Sequence, residues 1–288
     1  MNWIKLRKSA FPRAKTFLRE HEQFCVNAIS RFSSEITHHV WAAQTPDPVN
    51  GKLISGLLLY GNRLLYPVFH SPDTADLFPA GTMPLPRFFS WILNNNPLHA
   101  IQGVSDHVRM VEGALGQKGF LPVSRYDYEL RGLECAESGL SVKNIPGLHI
   151  RHPTFEDADS LFPLQAGYEQ EEVLPKGAVF NPSICRIGLD KLIADNQILM
   201  AELEGRIVGK ININAQSFTC FQIGGVYVVP QWRNYGIARA MIAALIREFA
   251  SQKNHFILFV KKANLPARKV YDHLGFGKIA DYRICYYE

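Results

Sequence analysis

Cysteine is scarce in this chain, and its few copies are too scattered to build a covalent or metal-bound framework. Five cysteines occur in 288 residues, widely spaced and without a Cys-x-x-Cys pair. A dispersed, odd-numbered set of this kind argues against a disulfide scaffold and against a structural zinc site. We therefore expect a protein of a reducing compartment that binds no metal.

Long apolar runs are also missing. No segment approaches the length that spans a membrane, and residues 1–15 are basic without the apolar core of a secretory signal. We accordingly expect a cytoplasmic protein with no membrane association. The 31 Lys and Arg exceed the 26 Asp and Glu by little, for a formal net charge of +5. This mild excess suits small anionic ligands and does not indicate nucleic-acid binding.

The chain is long enough for two domains of ordinary size. Hydrophobic residues make up 47% of the sequence and charged residues 20%, so each half can bury a core of its own. Residues 137–147 are polar, with glycine near both ends and Pro146, which favours a domain boundary. We expect an N-terminal α/β domain over residues 1–140 and a second domain over residues 147–288.

Hydrophobic periodicity predicts further elements in each half. In the first half, residues 15–32 have the spacing of one amphipathic helix. Residues 71–86 have the composition of a loop, and residues 87–94 that of a short buried helix. In the second half, residues 183–195 include a helix whose inward side chains we expect to be Ile187, Leu189, Leu192 and Ile193.

Residues 224–250 carry the clearest functional pattern. A β-branched and aromatic run ends at Pro230, a basic polar turn follows, and apolar residues then recur at helical spacing. Such a turn presents free backbone N–H groups at a helix N-terminus, with Arg233 before it and Arg239 in the first turn. Gly236 lets the backbone approach a ligand closely. Free amides, the helix dipole and two guanidinium groups together suit a pyrophosphate.

A second pattern follows at residues 256–276. An apolar strand leads to Asn264, which has the position of a helix N-cap, and Gly275 has the position of a C-terminal cap. Tyr271 lies seven residues after Asn264, and the sequence Leu-Gly-Phe closes the segment. The segment is therefore expected to form a strand and a capped helix.

The two patterns together resemble motifs A and B of the GNAT (Gcn5-related N-acetyltransferase) family. Motif A has the form Arg/Gln-x-x-Gly-x-Gly/Ala, and residues 233–238 read RNYGIA. The residues that fit motif B are Asn264, Ala267, Arg268, Tyr271, Leu274, Gly275 and Phe276. The resemblance implies an α/β fold with a mixed sheet, of the GNAT type, in the C-terminal domain. It also implies acetyl-CoA as co-substrate.

The resemblance further implies roles for individual residues. A backbone N–H on the strand before motif A, around Val228, would stabilise the thioester oxyanion, and Tyr271 would protonate the departing thiolate. Asn264 would orient CoA where two parallel strands separate. The residues expected to bind CoA are Val226, Tyr227, Val228, Arg233, Asn234, Tyr235, Gly236, Ile237, Ala238, Arg239 and Asn264.

One component of the family pattern is missing. Many members place a glutamate on the strand before motif A to take the proton of the acceptor amine, but residues 222–225 read QIGG. The proton acceptor stays open among a water chain, Glu172 and a substrate that arrives neutral. The neighbouring cluster of Glu169, Glu171 and Glu172 is either an attractor for a cationic amine or a solvated acidic face.

The first half repeats part of the second. Residues 119–126, GFLPVSRY, align with residues 275–282, GFGKIADY, and in both copies a helix ends at Gly-Phe before a strand. One interpretation is a duplication that leaves a degenerate GNAT-like unit in the first half, and the other is coincidence. The first copy lacks the motif A turn and has Asp106 where a phosphate would bind, so we expect no CoA there.

These features favour an acetyl-CoA-dependent N-acetyltransferase, in which a primary amine attacks the thioester directly within a ternary complex. Two alternatives stay open: a protein that binds acyl-CoA without turnover, and a transferase that uses a longer acyl or an aminoacyl donor. The sequence specifies neither the acceptor amine nor the oligomeric state.

Overall fold

The computed structural model describes residues 2–33, 39–47, 51–70, 89–90, 98–134, 140, 142–253 and 255–287. The chain divides into two compact units, one formed by Met1–Leu130 with Lys278–Glu288 and the other by Arg131–Gly277. The C-terminal residues therefore group with the first unit. In the described part of the chain, no helix is long and apolar enough to cross a membrane.

The first unit contains a mixed sheet with helices. Its first four strands pair antiparallel in sequence order, and the fifth runs parallel to the fourth and antiparallel to the C-terminal strand. The elements are β1 (Asn2–Lys5), α1 (Phe11–Glu20), α2 (Val26–Ser33), β2 (His39–Asp47), β3 (Gly51–Gly61), β4 (Leu64–Phe69), β5 (Ala100–Val104), α3 (Ser105–Gly116) and β6 (Ser124–Glu134).

Two expectations for this unit meet different outcomes. The single helix expected over residues 15–32 is wrong, because a 3-10 turn at Glu22–Phe24 separates α1 from α2. His21 and Cys25, which flank that turn, have φ values of −113° and −140°, outside the range of an α-helix. The loop expected at residues 71–86 lies outside the described residues, and of the helix expected at 87–94 only residues 89–90 are described, as helix.

The second unit is a five-stranded sheet between helices. Its strands are adjacent in the order β7-β8-β9-β10-β11, antiparallel except for the parallel pair β10 and β11. The elements are β7 (Leu148–Arg151), α4 (Ala158–Tyr168), α5 (Pro182–Ala194), β8 (Ile198–Leu203), β9 (Arg206–Gln216), β10 (Cys220–Val228), α6 (Ile237–Phe249), β11 (His255–Lys261) and α7 (Leu265–His273), and β12 (Gly277–Tyr286) ends the chain.

Alternation along β8 explains why helices cover both faces of this sheet. Leu199 and Ala201 lie in the same core cluster as the buried side of α6. Ile198 and Met200 point to the other face and pack in a cluster with α4 and α5. Because successive side chains of a strand point to opposite faces, a strand that begins with four consecutive apolar residues supports two helical layers.

Local sequence signals set the ends of several elements, and the expected cap at Asn264 is among them. The side-chain oxygen of Asn264 accepts a hydrogen bond from the N–H of Ala267 at 3.1 Å, which caps α7. Thr154 and Asp157 form a capping box before α4. The turn between β8 and β9 has Glu204 and Gly205 at φ values of 52° and 72°.

The inward face of α5 differs from the expectation at one position. Leu189 is fully buried, whereas Ile187 is 69% exposed. Cys185, Leu189 and Ile193 are spaced four residues apart and form the buried stripe of the helix. Ile187 lies two positions from that stripe, which is about half a turn, and therefore faces away from it.

These two positions give a matched pair for a stability measurement. We expect Leu189→Ala to lower the free energy of unfolding by about 2–5 kcal/mol, because it removes buried methyl groups and leaves a cavity. Ile187→Ala removes comparable atoms from an exposed site and should change it by less than about 0.5 kcal/mol. Urea denaturation of both variants measures the difference, and equal losses would contradict the assigned faces.

Candidate active site

The parallel strands β10 and β11 separate partway along their length. They pair from Cys220 and His255 as far as Ile223 and Leu258, yet β10 continues to Val228. From Gly224 onward, β10 is paired with β9 and no longer with β11. The separation leaves an open strip of backbone along the second half of β10.

An amide of β10 faces this open strip. The N–H of Val229 donates to the carbonyl of Val208 at 3.0 Å, on the β9 side. Because strand amides alternate in direction, the N–H of Val228 points to the opposite side. Val228 is one of the residues for which the sequence predicts contact with the acyl donor, and its amide is directed toward the gap.

A β-bulge in β10 accompanies the separation. The register shifts between Gly224, which opposes Asn212, and Tyr227, which opposes Lys210. Gly225 within the bulge has a φ of 59°. A Cβ at Gly225 would lie 1.6 Å from the side-chain oxygen of Asn212 and 2.6 Å from Nζ of Lys210. Gly225 is therefore required both by its dihedral angle and by the side chains that β9 places against it.

The turn before α6 has the geometry of an anion site. Asn234 and Gly236 have φ values of 71° and 84°, and α6 begins at the next residue. The first amide of the helix to bond within it belongs to Ala240, whose N–H donates to the carbonyl of Gly236 at 3.0 Å. Helix geometry leaves the three preceding N–H groups, from Ile237 to Arg239, directed outward at the positive end of the helix dipole.

Gly236 is needed here for its dihedral angle and not for lack of space. A Cβ at this position would have its nearest neighbour, Cδ1 of Ile145, at 3.7 Å. Residues other than glycine rarely adopt a φ of 84°. Gly236 is therefore required for its left-handed dihedral angle, which sets the direction of the backbone amides that follow it.

The two arginines of the motif have different environments. The Nε of Arg233 donates to the carbonyl of Val228 at 3.0 Å, and its Nη2 donates to Glu171 at 2.9 Å. Arg233 therefore ties the turn to β10 and to the segment after α4. The Nε of Arg239 is buried and has no hydrogen-bond partner among the described residues. Nearby, Tyr235 is 61% exposed.

The glutamates at the end of α4 lie in a π-helical turn, Glu169–Val173, and are paired. Glu171 accepts a hydrogen bond from the hydroxyl of Tyr227 at 2.8 Å, besides the bond from Arg233. Glu172 accepts from Nδ2 of Asn264 at 3.2 Å and lies 3.2 Å from Nζ of Lys261. The carboxylates of Glu171 and Glu172 are therefore both engaged by neighbouring donors.

Tyr271 is buried on α7. It is 7% exposed and packs edge-to-face on Phe276, with ring centroids 5.9 Å apart. Burial raises the pKa of the Tyr271 hydroxyl, and the nearby Tyr168 and Glu172 raise it further. The phenol therefore holds its proton throughout the neutral range, as a proton donor must.

Lys210 is the feature that sequence reasoning missed. It is fully buried, and its Nζ donates to the side-chain oxygen of Asn212 at 2.9 Å and lies 4.9 Å from the ring centroid of Tyr168. Burial lowers the pKa of Lys210 to about 7, although Glu169 and Cys185 act in the opposite direction. A lysine that titrates near neutral pH is characteristic of functional sites.

A signal for this cluster exists in the sequence. Lys210, Asn212 and Asn214 occupy alternate positions of a strand that is otherwise apolar, so they share one face. The amide of Asn212 donates to the side-chain oxygen of Asn214 at 2.7 Å. These polar residues lie on one face of β9, opposite the adjacent glycines Gly224 and Gly225 of β10. Such a pattern indicates a polar site for which the glycines leave space.

With this geometry in place, comparison with known proteins defines the class. Residues 163–276 match the family model for the acetyltransferase (GNAT) family. This part of the chain is a GNAT acetyltransferase domain. It contains the bulged strand, the turn before α6, and Asn264 with Tyr271. No curated protein matches the sequence.

Solved structures extend the similarity of fold to the whole chain. A GNAT-family acetyltransferase of Colwellia psychrerythraea superposes with a TM-score of 0.59 at 10% identity, with 100% of each chain covered. A Drosophila protein gives 0.65 at 13% identity, covering 99% of this chain and 98% of that chain. A tandem GNAT protein from the clavulanic acid biosynthesis pathway gives 0.56 at 10% identity, covering 99% and 97%. The fold of this chain fits an arrangement of two GNAT-like units.

The bulge predicts a large effect of a small substitution. Gly225→Ala combines a left-handed dihedral with a clash against Asn212, whereas Gly205→Ala has a φ of 72° with no atom within 4 Å of the new Cβ. We expect Gly205→Ala to cost about 1–2 kcal/mol for its dihedral. Gly225→Ala should cost about 1–3 kcal/mol more, because of overpacking. Denaturant titration compares the two, and similar costs would mean that the cluster is not packed against the bulge.

Lys210 predicts a pH dependence of stability. Since its pKa falls from 10.5 to about 7 on folding, the unfolded chain binds more protons between these values. The fold should therefore gain stability as the pH rises through this window, and lose it again as the pH falls toward 7. Lys210→Met cannot titrate, so the melting temperature of wild type minus that of the variant should increase by several degrees between about pH 7 and pH 9. A constant difference would contradict the burial of the amine.

Proposed function

We propose that the protein is an acetyl-CoA-dependent N-acetyltransferase that transfers an acetyl group to a primary amine. In this proposal the amine attacks the thioester directly, in a ternary complex with the donor. The observation that supports it most is the open row of amides beside the turn at Asn234 and Gly236, next to a strand that has lost its partner. We place this activity in the domain at residues 147–288.

The pyrophosphate of CoA is proposed to bind at the start of α6. The outward N–H groups of Ile237, Ala238 and Arg239 suit two phosphates, and the guanidinium of Arg239, whose buried Nε has no hydrogen-bond partner among the described residues, supplies a positive charge. Asn234 and Tyr235 complete the turn around the ligand. Their geometry supports an extended arm that runs from this turn into the gap beside β10.

The thioester is proposed to lie along the open strip of β10. An N–H from Val228, with Val226 beside it, is directed toward the gap and suits the developing oxyanion. Tyr227 contributes its backbone to this strip, while its hydroxyl is engaged with Glu171. Asn264 caps α7 at the far side of the gap, near where the two strands separate.

Tyr271 is proposed as the group that protonates the departing thiolate. Its raised pKa keeps the phenol protonated at neutral pH, and it lies on the helix that Asn264 caps. The alternative for Tyr271 is a purely structural place in the core, which its burial also fits. A kinetic test separates the two.

Direct attack is favoured over a covalent enzyme intermediate. Burial raises the pKa of the Cys185 thiol to about 12, with Glu169 adding to the effect. Cys220 on β10 is fully buried as well. Neither thiol has the exposed, easily ionised character of a nucleophilic cysteine.

A panel of primary amines tests the proposal directly. Release of free CoA from acetyl-CoA would be followed with spermidine, a lysine-containing peptide, a peptide with N-terminal alanine, and tyramine. Amine-dependent release by any member supports the transferase. Binding of acetyl-CoA without release with any of them would favour the sensing alternative, which the lack of a carboxylate on β10 also suggests. Faster release of CoA from a longer acyl-CoA would favour the alternative of a transferase that uses a longer acyl donor.

Tyr271→Phe should separate the chemical role from the structural one. If the hydroxyl protonates the thiolate, turnover should fall at least about tenfold while the affinity for acetyl-CoA is retained. Tyr287→Phe is a suitable control, because it removes the hydroxyl of a buried tyrosine of the other unit, whose oxygen has no partner in the described part of the chain. Unchanged turnover of Tyr271→Phe would remove Tyr271 from this role.

A further inference from the structure

The proposed transfer requires a group that takes a proton from the acceptor amine, and the nearby carboxylates of Glu171 and Glu172 are engaged by other side chains. β10 carries no Asp or Glu. Glu171 is held by Arg233 and Tyr227, and Glu172 by Lys261. The remaining candidates are titratable groups that face the bulge from other elements.

Lys210 faces the bulge from β9. Its Nζ lies 2.6 Å from the position of a Cβ on Gly225, so the amine occupies the space that this glycine leaves. Gly225 lies three residues before Val228, whose N–H is proposed to meet the thioester carbonyl. The buried amine and the proposed acyl site therefore lie along the same short stretch of β10.

Tyr168 connects this buried amine with the gap. Its hydroxyl accepts hydrogen bonds from the N–H of Gly225 and from the side chain of Asn214. Asn214 in turn accepts from Asn212, and Asn212 accepts from Lys210. Each of these side-chain hydrogen bonds is donated in the direction that leads from Lys210 toward the oxygen of Tyr168. None of these hydrogen bonds between described residues uses the hydroxyl proton of Tyr168, so that proton can be donated or exchanged.

We propose that Tyr168 and Lys210 together act as the proton acceptor for the incoming ammonium, in place of a carboxylate on β10. Tyr168 is the group that meets the acceptor, and Lys210 is a positioning residue that holds the transferred proton. This inference rests on the proposed acetyl transfer and assigns its missing base.

In the proposed reaction, the ammonium gives one proton to the oxygen of Tyr168, while the phenolic proton of Tyr168 passes to the lone pair of neutral Lys210. The freed amine attacks the thioester carbon, so that an N–C bond forms and the C–S bond breaks. A second proton leaves the nitrogen and reaches the sulfur through Tyr271. Once the products leave, the proton returns from Lys210 to Tyr168, whose hydroxyl releases a proton to solvent. The flexible lysine stem allows Nζ to move between Asn212 and the phenol.

The protonation of Lys210 sets the direction of the pH effect. The titratable groups that face Nζ are Glu169 from the π-helical turn, Cys185 from α5 and Tyr168 from α4. Burial outweighs their influence and lowers the pKa of the amine to about 7. Below that pH Lys210 is charged and has no lone pair to offer. Activity should therefore rise with pH through this region and level off above it.

The first test is the pH profile of kcat/KM with ethylamine, a small amine that is protonated at neutral pH. Wild type should show an inflection near pH 7. Lys210→Met and Tyr168→Phe should both lose it and be at least about tenfold slower at about pH 8. Lys191→Met, which makes the same change on the exposed side of α5, should retain the wild-type profile. Wild-type profiles in both site variants would overturn the inference.

The second test separates proton transfer from a structural role. Hydroxylamine is uncharged at about pH 7.5 and needs no base before it attacks. If Lys210 acts only in proton transfer, Lys210→Met should be slow with ethylamine. With hydroxylamine its rate should stay within about threefold of the wild-type rate. Equal losses with both amines would assign Lys210 a structural role and overturn the inference. Tyr168→Phe provides the same comparison independently of how well Lys210→Met folds.

The two proposals fail in distinguishable ways. Turnover by wild type, with a pH profile that the variants leave unchanged, overturns the assignment of the base and leaves the transferase intact. No turnover by wild type with any amine, although acetyl-CoA binds, overturns both.

Discussion

The separation of β10 from β11 is the constraint on which the rest of the second unit depends. Two parallel strands that stop pairing after Ile223 and Leu258 leave backbone donors without a strand to receive them. In most sheets such a gap would cost stability, because unpaired amides of a buried strand lose hydrogen bonds. Here the gap opens beside a helix N-terminus whose amides are also unpaired. The arrangement suits a ligand that supplies acceptors to both.

The bulge at Gly225 links this gap to the polar face of β9. By extending the register by one residue, it sets the direction in which the amide of Val228 faces the gap. By lacking a side chain, Gly225 also leaves space for Lys210 and Asn212. One glycine thereby joins the place proposed for the acyl group to the buried amine that we propose holds a proton. In this proposal the buried lysine, whose pKa burial lowers to about 7, takes the place of a carboxylate on β10.

Much of this could be predicted from sequence, because the signals were local. The cap at Asn264, the turn at Glu204 and Gly205, and the start of α6 after Gly236 follow from neighbouring residues. The family of residues 163–276 was likewise visible in two short motifs. Lys210 was not predicted, because its burial depends on contacts with α4, α5 and β10 that are distant in sequence. The outward position of Ile187 was missed because apolar spacing alone did not fix which stripe of α5 faces the sheet.

The central claim is that the amides beside Tyr235 bind the pyrophosphate of CoA. Isothermal titration calorimetry with CoA tests it most directly, on wild type, Gly236→Glu and Gly205→Glu. Both glycines have positive φ values, so the two variants carry a similar backbone strain and the same added charge. We predict that wild type and Gly205→Glu bind CoA and that Gly236→Glu does not. No heat with wild type, or equal affinity in all three proteins, would contradict the account.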